Sequence, residues 1–295
     1  MKIIESPEKM QQATQVLRRE GKTIGFVPTM GFLHEGHLSL MRLARERCDV
    51  LVASIFVNPA QFGPNEDLDA YPRDFERDEK LCRAEGVDFL FYPTPENMYL
   101  DGHSVWVDEE SLSGVLCGAA RPGHFRGVCT VVAKLLNIIL PDVMVLGEKD
   151  AQQLRVLRRM ARDLNFSVDI VPGPIVREAD GLAMSSRNKY LSPAERAEAV
   201  CLFQSLEKAK ELVAAGERDA AVLKAAIRER IEQTSGTVDY IEIVDDEFLQ
   251  SFHPTGGELV EPLETYSAGG VKPARVALAV KFSGVRLIDN IVIGK

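Results

Sequence analysis

The chain has 295 residues and a formal net charge of −9, with 45% hydrophobic and 27% charged residues. This length and composition are typical of a soluble globular protein with about two domains, and the acidic balance argues against a general nucleic-acid-binding protein. The five cysteines are widely spaced without a Cys-x-x-Cys pair, which argues against a disulfide framework or a cysteine zinc site and favours a reducing cytoplasm. We expect no signal peptide and no membrane partner, because no apolar run approaches the roughly 18 residues that span a bilayer.

Strand and helix signals alternate along the first 175 residues. Short apolar runs at 23–27 and 49–57 predict buried strands, and the amphipathic stretch 34–48 between them predicts a helix. The alternation continues with predicted helices at 74–85, 127–139 and 151–165 and predicted strands at 87–92, 142–146 and 167–171. Strands that alternate with helices predict a Rossmann-like α/β domain over residues 1–175, with a doubly wound parallel sheet.

The pattern changes after the Pro/Gly cluster at 172–174, and residues 176–295 are predicted to form a smaller α+β domain. Ser192, Pro193 and Glu195 form a capping box with proline at the first helical position, which predicts a helix from there to about residue 215. A second helix is predicted at 218–233. Strands are predicted at 240–244, 275–282 and 285–293, and the last two should pair as an antiparallel hairpin through the turn at 283–284. The Pro/Gly/Glu-rich stretch 253–273 is predicted to be a long exposed loop.

Two of the five histidines lie three residues apart in His34-Glu35-Gly36-His37, where the first predicted strand leads into a helix. Both rings can lie on one face of the first helical turn, and Gly36 lets another group approach closely. Because free N–H groups at a helix start attract phosphate, we predict a site for a nucleotide triphosphate. The alternatives are a pair of capping histidines or a metal site, although a metal site would lack a third ligand nearby.

Other polar side chains follow predicted strands. Asn58 and Gln61 come after the second strand, and Lys149 and Asp150 come after the strand at 142–146, with Gln153 one turn into the next helix. Since ligands of parallel sheets bind at the carboxyl ends of the strands, we expect these groups to face the site of the histidines. A simple Asn-Pro turn and a helix cap at Asp150 are the alternatives.

Two loops offer basic or hydroxyl groups. Residues 121–127 are basic in an acidic protein and predict either a loop at the edge of the site or a structural loop. At the predicted domain junction, Met184, Ser185, Ser186 and Arg187 bring together two hydroxyls and a guanidinium, which are donors for phosphate. This composition is also common in ordinary loops.

In this order, the motifs HxGH (34–37), NPxQF (58–62), GEKDxQQ (147–153) and MSSRN (184–188) resemble those of the pantothenate synthetases, or pantoate–β-alanine ligases, in the HIGH/KMSKS nucleotidyltransferase superfamily. The resemblance extends from Ile3 to Asn290, and the stretch 253–273 is longer than the family usually carries. It implies ATP-dependent ligation of pantoate and β-alanine to pantothenate through a pantoyl adenylate, with release of AMP and pyrophosphate. It also implies Mg²⁺, for which Asp78 is a weak candidate ligand, and a homodimer in the cytoplasm.

The resemblance implies roles for individual residues. It assigns catalysis to His34, His37, Lys149 and Arg187. It assigns ATP binding to Met30, Gly31, His34, His37, Gly147, Glu148, Lys149, Asp150, Val176, Met184, Ser185, Ser186 and Arg187. It assigns pantoate binding to Gln61 and Gln153, with β-alanine also near Gln61.

The implied first step needs no general base, because a carboxylate nucleophile is already ionised at pH 7. It needs positioning and neutralisation of the charge that builds on the phosphates. The adenylate also needs a dry site, for which the second domain is the expected lid. Two alternatives are another adenylyltransferase of the superfamily that acts on a different small acid, and a nucleotide-sensing module without chemistry.

Overall fold

Six parallel strands form the larger sheet in a computed structural model that describes residues 1–64, 66–251 and 273–293. The strands are β1 (Lys2–Ile4), β2 (Ile24–Thr29), β3 (Val50–Ile55), β4 (Phe89–Phe91), β5 (Val143–Gly147) and β6 (Asp169–Gly173). Their order across the sheet is β1-β4-β3-β2-β5-β6, and neighbouring strands are parallel. All six residues of β3 are buried, as expected for a parallel strand covered on both faces.

Helices alternate with these strands along the chain. They are α1 (Pro7–Arg19), α2 (Glu35–Arg45), α3 (Phe75–Ala84), α4 (Pro95–Met98), α5 (Leu116–Ala120), α6 (His124–Ile139) and α7 (Ala151–Asp163). The apolar stripe of α2, with Leu38, Met41 and Ala44, is buried in one core cluster with Leu51 and Val145 of the sheet. The predicted α/β sheet is confirmed.

A three-stranded antiparallel sheet follows in the chain. Its strands are β7 (Thr237–Asp245), β8 (Ala274–Phe282) and β9 (Val285–Ile293), in the order β7-β8-β9. Helices α8 (Pro193–Glu198), α9 (Cys201–Ala214) and α10 (Ala220–Glu232) precede it. Leu206 of α9 and Ile227 of α10 share a core cluster with Leu278 of β8, which confirms the predicted α+β character and the hairpin at 283–284.

The chain divides into two units. The first comprises Met1–Gly114, Arg121–Glu148 and Gln153–Val176, and the second comprises Val115–Ala120, Lys149–Gln152 and the described part of Arg177–Lys295. Two short segments that lie between segments of the first unit in the chain therefore belong to the second unit. Within residues 1–64, 66–251 and 273–293, no helix has the length and apolarity needed to cross a membrane.

Three details differ from the sequence-based expectations. The helix predicted from Ser192 to about residue 215 is broken at 199–200 into α8 and α9. Strand β1 and helix α1 are absent from those expectations, although Ser6 caps α1 and Pro7 occupies its first turn. The long loop predicted at 253–273 lies outside the described residues, apart from Pro273.

Candidate active site

A buried carboxylate fixes the loop between β2 and α2. Gly31 and Phe32 both adopt a positive φ, of 83° and 49°, which suits glycine but strains phenylalanine. Asp78 of α3 is 1% exposed and accepts hydrogen bonds from the N–H of Phe32 at 2.6 Å and of Leu33 at 2.8 Å. Burial raises the pKa of Asp78 although these two N–H groups favour its charged form. Asp78 therefore holds the loop that leads into α2, and each of its two oxygens accepts a backbone N–H of that loop.

His34 and His37 form a reciprocal cap at the start of α2. The Nδ1 of His34 accepts from the N–H of Gly36 at 3.1 Å, and the Nδ1 of His37 accepts from the N–H of His34 at 3.2 Å. The two ring centroids lie 4.1 Å apart. Since a nitrogen that accepts an N–H bond cannot carry the single proton of a neutral imidazole, these bonds assign the proton to Nε2 in both rings. The capping alternative is thus present, but it uses Nδ1, so each ring also presents an Nε2–H donor.

Gln61 lies in the short 3₁₀ turn after β3, where the buried Asn58 orients its amide. The N–H of Ala60 donates to Asn58 Oδ1 at 3.3 Å, and the Tyr99 hydroxyl does so at 2.7 Å. Asn58 therefore directs Nδ2 at Gln61 Oε1, at 3.0 Å. The Gln61 Nε2 lies 3.1 Å from the sulfur of Met30. Gln61 thus presents an amide donor, which suits a carboxylate or hydroxyl oxygen.

The open question of residues 121–127 is answered in part by their contacts with Gln61. Arg121 forms an ion pair with Glu66 at 2.6 Å and lies 3.0 Å from the Nε2 of His124. The Nδ1 of His124 lies 2.8 Å from the carbonyl oxygen of Gln61, so Nδ1 donates and Nε2 accepts from Arg121. Burial by itself raises the pKa of Glu66, but the bonds and charge of Arg121 lower it overall. Residues 124–127, predicted as part of a loop, form the first turn of α6, and this turn together with Arg121 supports the backbone of Gln61.

Gly127 inside α6 is a residue that the sequence motifs do not indicate. A Cβ atom at Gly127 would collide with the backbone of Ala60, so the glycine allows α6 to lie directly against the Gln61 turn. An isolated glycine within a helical pattern is a signal for such close packing.

The remaining predicted residues of the first unit follow β5 and β6. Gly147 is the last residue of β5, and Glu148 forms an ion pair with Arg155 at 3.0 Å. Gln153 lies in the first turn of α7 and is partly exposed, and Val176 follows β6 in the chain. Because β5 pairs in parallel with β2, Gly147 ends at the same edge of the sheet as the strand that leads to the two histidines.

In the second unit, Lys149 and Asp150 lie in a 3₁₀ turn that leads into α7, and Lys149 Nζ is 3.5 Å from Asp150 Oδ2. Gln152, which is buried, holds this segment against α5. Its Oε1 accepts from the N–H of Cys117 at 2.9 Å and its Nε2 donates to the carbonyl of Val115 at 2.7 Å. Gln152 is therefore a structural clamp.

The predicted phosphate-binding loop also lies in the second unit. Ser185 accepts the N–H of Arg187 at 3.3 Å and caps the 3₁₀ helix Ser186–Tyr190. Ser186 is buried, whereas Met184 and Arg187 are partly exposed. The amide of Asn188 donates to the carbonyl of Ala183 at 3.1 Å. Across residues 1–64, 66–251 and 273–293, no group of three or more His, Cys, Asp or Glu side chains could hold a metal ion.

The comparisons with known proteins agree on one family. Residues 2–292 match the family model of pantoate-beta-alanine ligase. The chain is 54% identical over 295 residues to the pantothenate synthetase of Thermotoga petrophila, covering 100% of both chains. It is 53% identical to that of Heliobacterium modesticaldum over 294 residues, covering 99% of both.

Solved structures give the same result. The structure is similar to pantothenate synthetase from Thermus thermophilus, with a TM-score of 0.88, 44% identity and 99% coverage of both chains. It is also similar to pantoate-beta-alanine ligase from Francisella tularensis complexed with beta-gamma ATP and beta-alanine, with a TM-score of 0.78 and 31% identity over 99% of this chain and 97% of that one. The chain therefore belongs to the pantoate–β-alanine ligase family and is an enzyme of that family.

Proposed function

We propose that the enzyme joins pantoate and β-alanine in two steps through a pantoyl adenylate. The pantoate carboxylate attacks the α-phosphorus of ATP and expels pyrophosphate. The amine of β-alanine then attacks the acyl carbon and expels AMP. The observation that carries this proposal is the reciprocal cap of α2, because it makes both His34 and His37 present Nε2–H as donors.

Preorganised donors suit the first step. Negative charge grows on the phosphate oxygens as pyrophosphate leaves, and fixed N–H groups stabilise it without having to reorient. We assign this role to His34, His37, Lys149 and Arg187. The remaining ATP-binding groups that we propose are Met30, Gly31, Gly147, Glu148, Asp150, Val176, Met184, Ser185 and Ser186.

Gln61 and Gln153 are proposed to bind pantoate, with β-alanine also near Gln61. The support for Gln61 is its fixed orientation, since Asn58 occupies Oε1 and directs Nε2 away from itself. An amide N–H can bind the carboxylate that reacts or a hydroxyl of the same acid. The related Francisella ligase was solved with beta-alanine and beta-gamma ATP, which are the substrate classes proposed here.

A Mg²⁺ ion is also proposed, bound to phosphate oxygens of ATP, where it would neutralise charge. Mg²⁺ commonly keeps several waters and takes few protein ligands beside substrate phosphates. The described residues hold no metal-binding cluster, and Asp78 binds two backbone N–H groups instead. We therefore assign no step of the reaction to a protein-bound metal.

The homodimer and the cytoplasm remain proposals. Leu100, Val105 and Trp106 are 68%, 74% and 40% exposed, and neighbouring exposed apolar residues often mark an interaction surface. All five cysteines are free thiols, which suits a reducing compartment. Sedimentation velocity should give twice the chain mass for the native protein and a shift towards the monomer for Val105→Asp. A mass equal to one chain for both the native protein and Val105→Asp would reject the dimer.

The function is tested by exchange of labelled pyrophosphate into ATP. Pantoate should support exchange in the absence of β-alanine, whereas other small acids should not. Net conversion of ATP to AMP should need both pantoate and β-alanine. Exchange with a different acid would favour another adenylyltransferase activity, and binding of ATP without exchange would reject the proposed chemistry.

A further inference from the structure

Asn290 of β9 binds the backbone of Lys149 within the second unit. Its Nδ2 donates to the Lys149 carbonyl oxygen at 2.9 Å. On its other side, the Asn290 Oδ1 accepts from Arg275, which is 4% exposed and also pairs with Asp246 at 2.5 Å. A guanidinium can only donate, so the oxygen of the Asn290 amide must face Arg275. This settles the orientation of the amide, and its NH₂ faces Lys149.

The preceding residue, Asp289, binds a different segment. Its side chain is 1% exposed, and its two oxygens accept the two arms of the Arg177 guanidinium at 2.6 Å and 3.0 Å. Arg177 also donates to the carbonyl of Gly181 at 3.1 Å and lies over the ring of Phe203, 4.7 Å from its centroid. Through Arg177, Asp289 thereby holds the first arm of the short hairpin that begins at Arg177 and the turn at Gly181.

This hairpin leads directly into the proposed phosphate-binding loop. Arg177 pairs with Ala183 as an antiparallel bridge, and the next residue is Met184. Asn188 then donates back to the carbonyl of Ala183 at 3.1 Å. The position of Ser185–Arg187 is therefore set at both of its ends by a hairpin that Asp289 holds.

We propose that Asp289 and Asn290 are positioning residues for the adenylation step. Asn290 fixes the backbone at Lys149 relative to β9, and Asp289 fixes the hairpin that leads into Ser185–Arg187. Successive residues of a strand point to opposite faces and have Cα atoms about 3.8 Å apart. One rigid strand thus holds two segments that are about 35 residues apart in the chain. The inference rests on the proposed roles of Lys149 and Arg187 in binding the ATP phosphates.

A purely structural role for the same bonds would have a different consequence. Loss of a buried hydrogen bond would lower the stability of the second unit and leave the folded enzyme with normal kinetics in both half-reactions. A positioning role requires a selective defect, because pyrophosphate has left before β-alanine reacts. A misplacement of about 1 Å can reduce a rate about 100-fold.

The test compares Asn290→Asp with Glu242→Gln. Asn290→Asp keeps the size of the side chain and an oxygen for Arg275 but lacks the NH₂ that binds Lys149. Glu242→Gln removes the charge of a half-buried ion pair with Lys224, also in the second unit, and serves as the matched control. Single-turnover rates are measured from ATP and pantoate, and separately from preformed pantoyl adenylate and β-alanine.

Asn290→Asp should slow adenylate formation about 10- to 100-fold and change the second half-reaction by less than about twofold, with normal kinetics in Glu242→Gln. Asp289→Asn should give the same selective loss, and it decides the question if Asn290→Asp does not fold. The inference would be overturned if Asn290→Asp and Asp289→Asn slowed both half-reactions equally, or if both of these variants kept normal rates. Lys149→Met is measured alongside: a normal adenylation rate there would refute the proposed role of Lys149 itself, independently of Asn290.

Discussion

At the scale of single residues, hydrogen bonds decide which atom of a side chain can act. The sequence predicts that His34 and His37 share one helical turn, and the structure adds that both Nδ1 atoms bind backbone N–H groups. The spacing of the two histidines could not show this, because the tautomer depends on which backbone N–H groups at the start of α2 reach the rings. The same holds for Gln61, whose amide orientation depends on Asn58 and Ala60.

Two substitutions separate the two functions of the His37 ring, the hydrogen bond that Nδ1 accepts from the N–H of His34 and the Nε2–H group that is proposed to donate to phosphate. In His37→Asn the amide oxygen can take the place of Nδ1, so the cap is retained and the Nε2–H donor is lost. In His37→Gln the amide can reach the place of Nε2, so the donor is retained and the cap is lost. We expect His37→Asn to lower adenylate formation by about 10²–10³ with little change in melting temperature.

His37→Gln should do the reverse. It should lose about 0.5–1.5 kcal/mol of stability, the usual net contribution of one hydrogen bond, because His37 accepts the backbone N–H of the N-cap residue His34, and it should keep part of the rate. Single-turnover kinetics and thermal unfolding of both variants check this. A nearly normal rate in His37→Asn would show that the ring serves the helix only.

Gln61→Ala should impair the use of pantoate far more than the binding of ATP. Truncating one partner of a buried polar contact costs about 1–3 kcal/mol, and that loss should appear in pantoate affinity. Calorimetry with each ligand measures it. Gln11→Ala is the control, since the Gln11 amide also forms a hydrogen bond within the first unit, to the carbonyl of Asn137, but lies on helix α1 outside the predicted site. Equal losses for ATP and pantoate would contradict the assignment.

At the scale of elements, the sequence predicts each strand of the site and the helix that follows it. It does not predict that α3 supplies Asp78 to the β2–α2 loop, because that bond joins residues 46 positions apart in the chain. Helix α1 was predictable from Ser6 and Pro7, which repeat the start signal seen at Ser192 and Pro193. The break at 199–200 carries no proline or glycine and could not be predicted.

Asp78→Asn should destabilise the first unit and slow adenylate formation. One oxygen becomes an NH₂ group, which leaves the N–H of Phe32 or Leu33 without an acceptor at a cost of about 1–3 kcal/mol. The displaced loop should also shift the start of α2. Asp74→Asn is the control, because an Asn caps a helix about as well as the Asp74 that caps α3. Denaturant unfolding and single-turnover rates that match the native enzyme would contradict this.

The Glu66–Arg121 pair should make stability fall in acid. The pKa of Glu66 is lowered in the folded protein, so its contribution is present above the ordinary value of about 4.5 and is lost as pH falls through the folded pKa. Glu66→Gln should therefore be less stable than the native protein at pH 7, and the difference should shrink below pH 4.5.

Glu79→Gln is the control for this pH dependence. Glu79 pairs with the exposed Arg83 on the surface of α3, where such pairs contribute about 0–1 kcal/mol. Urea unfolding at pH 7 and at pH 3.5 measures both variants. A difference for Glu66→Gln that stays constant across this range would contradict the linkage.

At the scale of the whole molecule, composition and the switch in pattern near residue 175 predict an α/β sheet followed by an α+β unit. What they do not reveal is the membership of Val115–Ala120 and Lys149–Gln152 in the second unit. That arrangement depends on the Gln152 side chain binding the backbone of residues 115 and 117 and on Asn290 binding Lys149. Such contacts bring together distant segments and leave no periodic signal.

The central claim is that a pantoyl adenylate lies on the reaction path. Pantoate labelled with ¹⁸O in both carboxylate oxygens tests it most directly, because the oxygen that attacks the α-phosphorus leaves with AMP and the other stays in the new amide. Mass spectrometry should find one ¹⁸O atom in AMP for each pantothenate formed. Unlabelled AMP, or label in inorganic phosphate with ADP as the nucleotide product, would contradict the adenylate route.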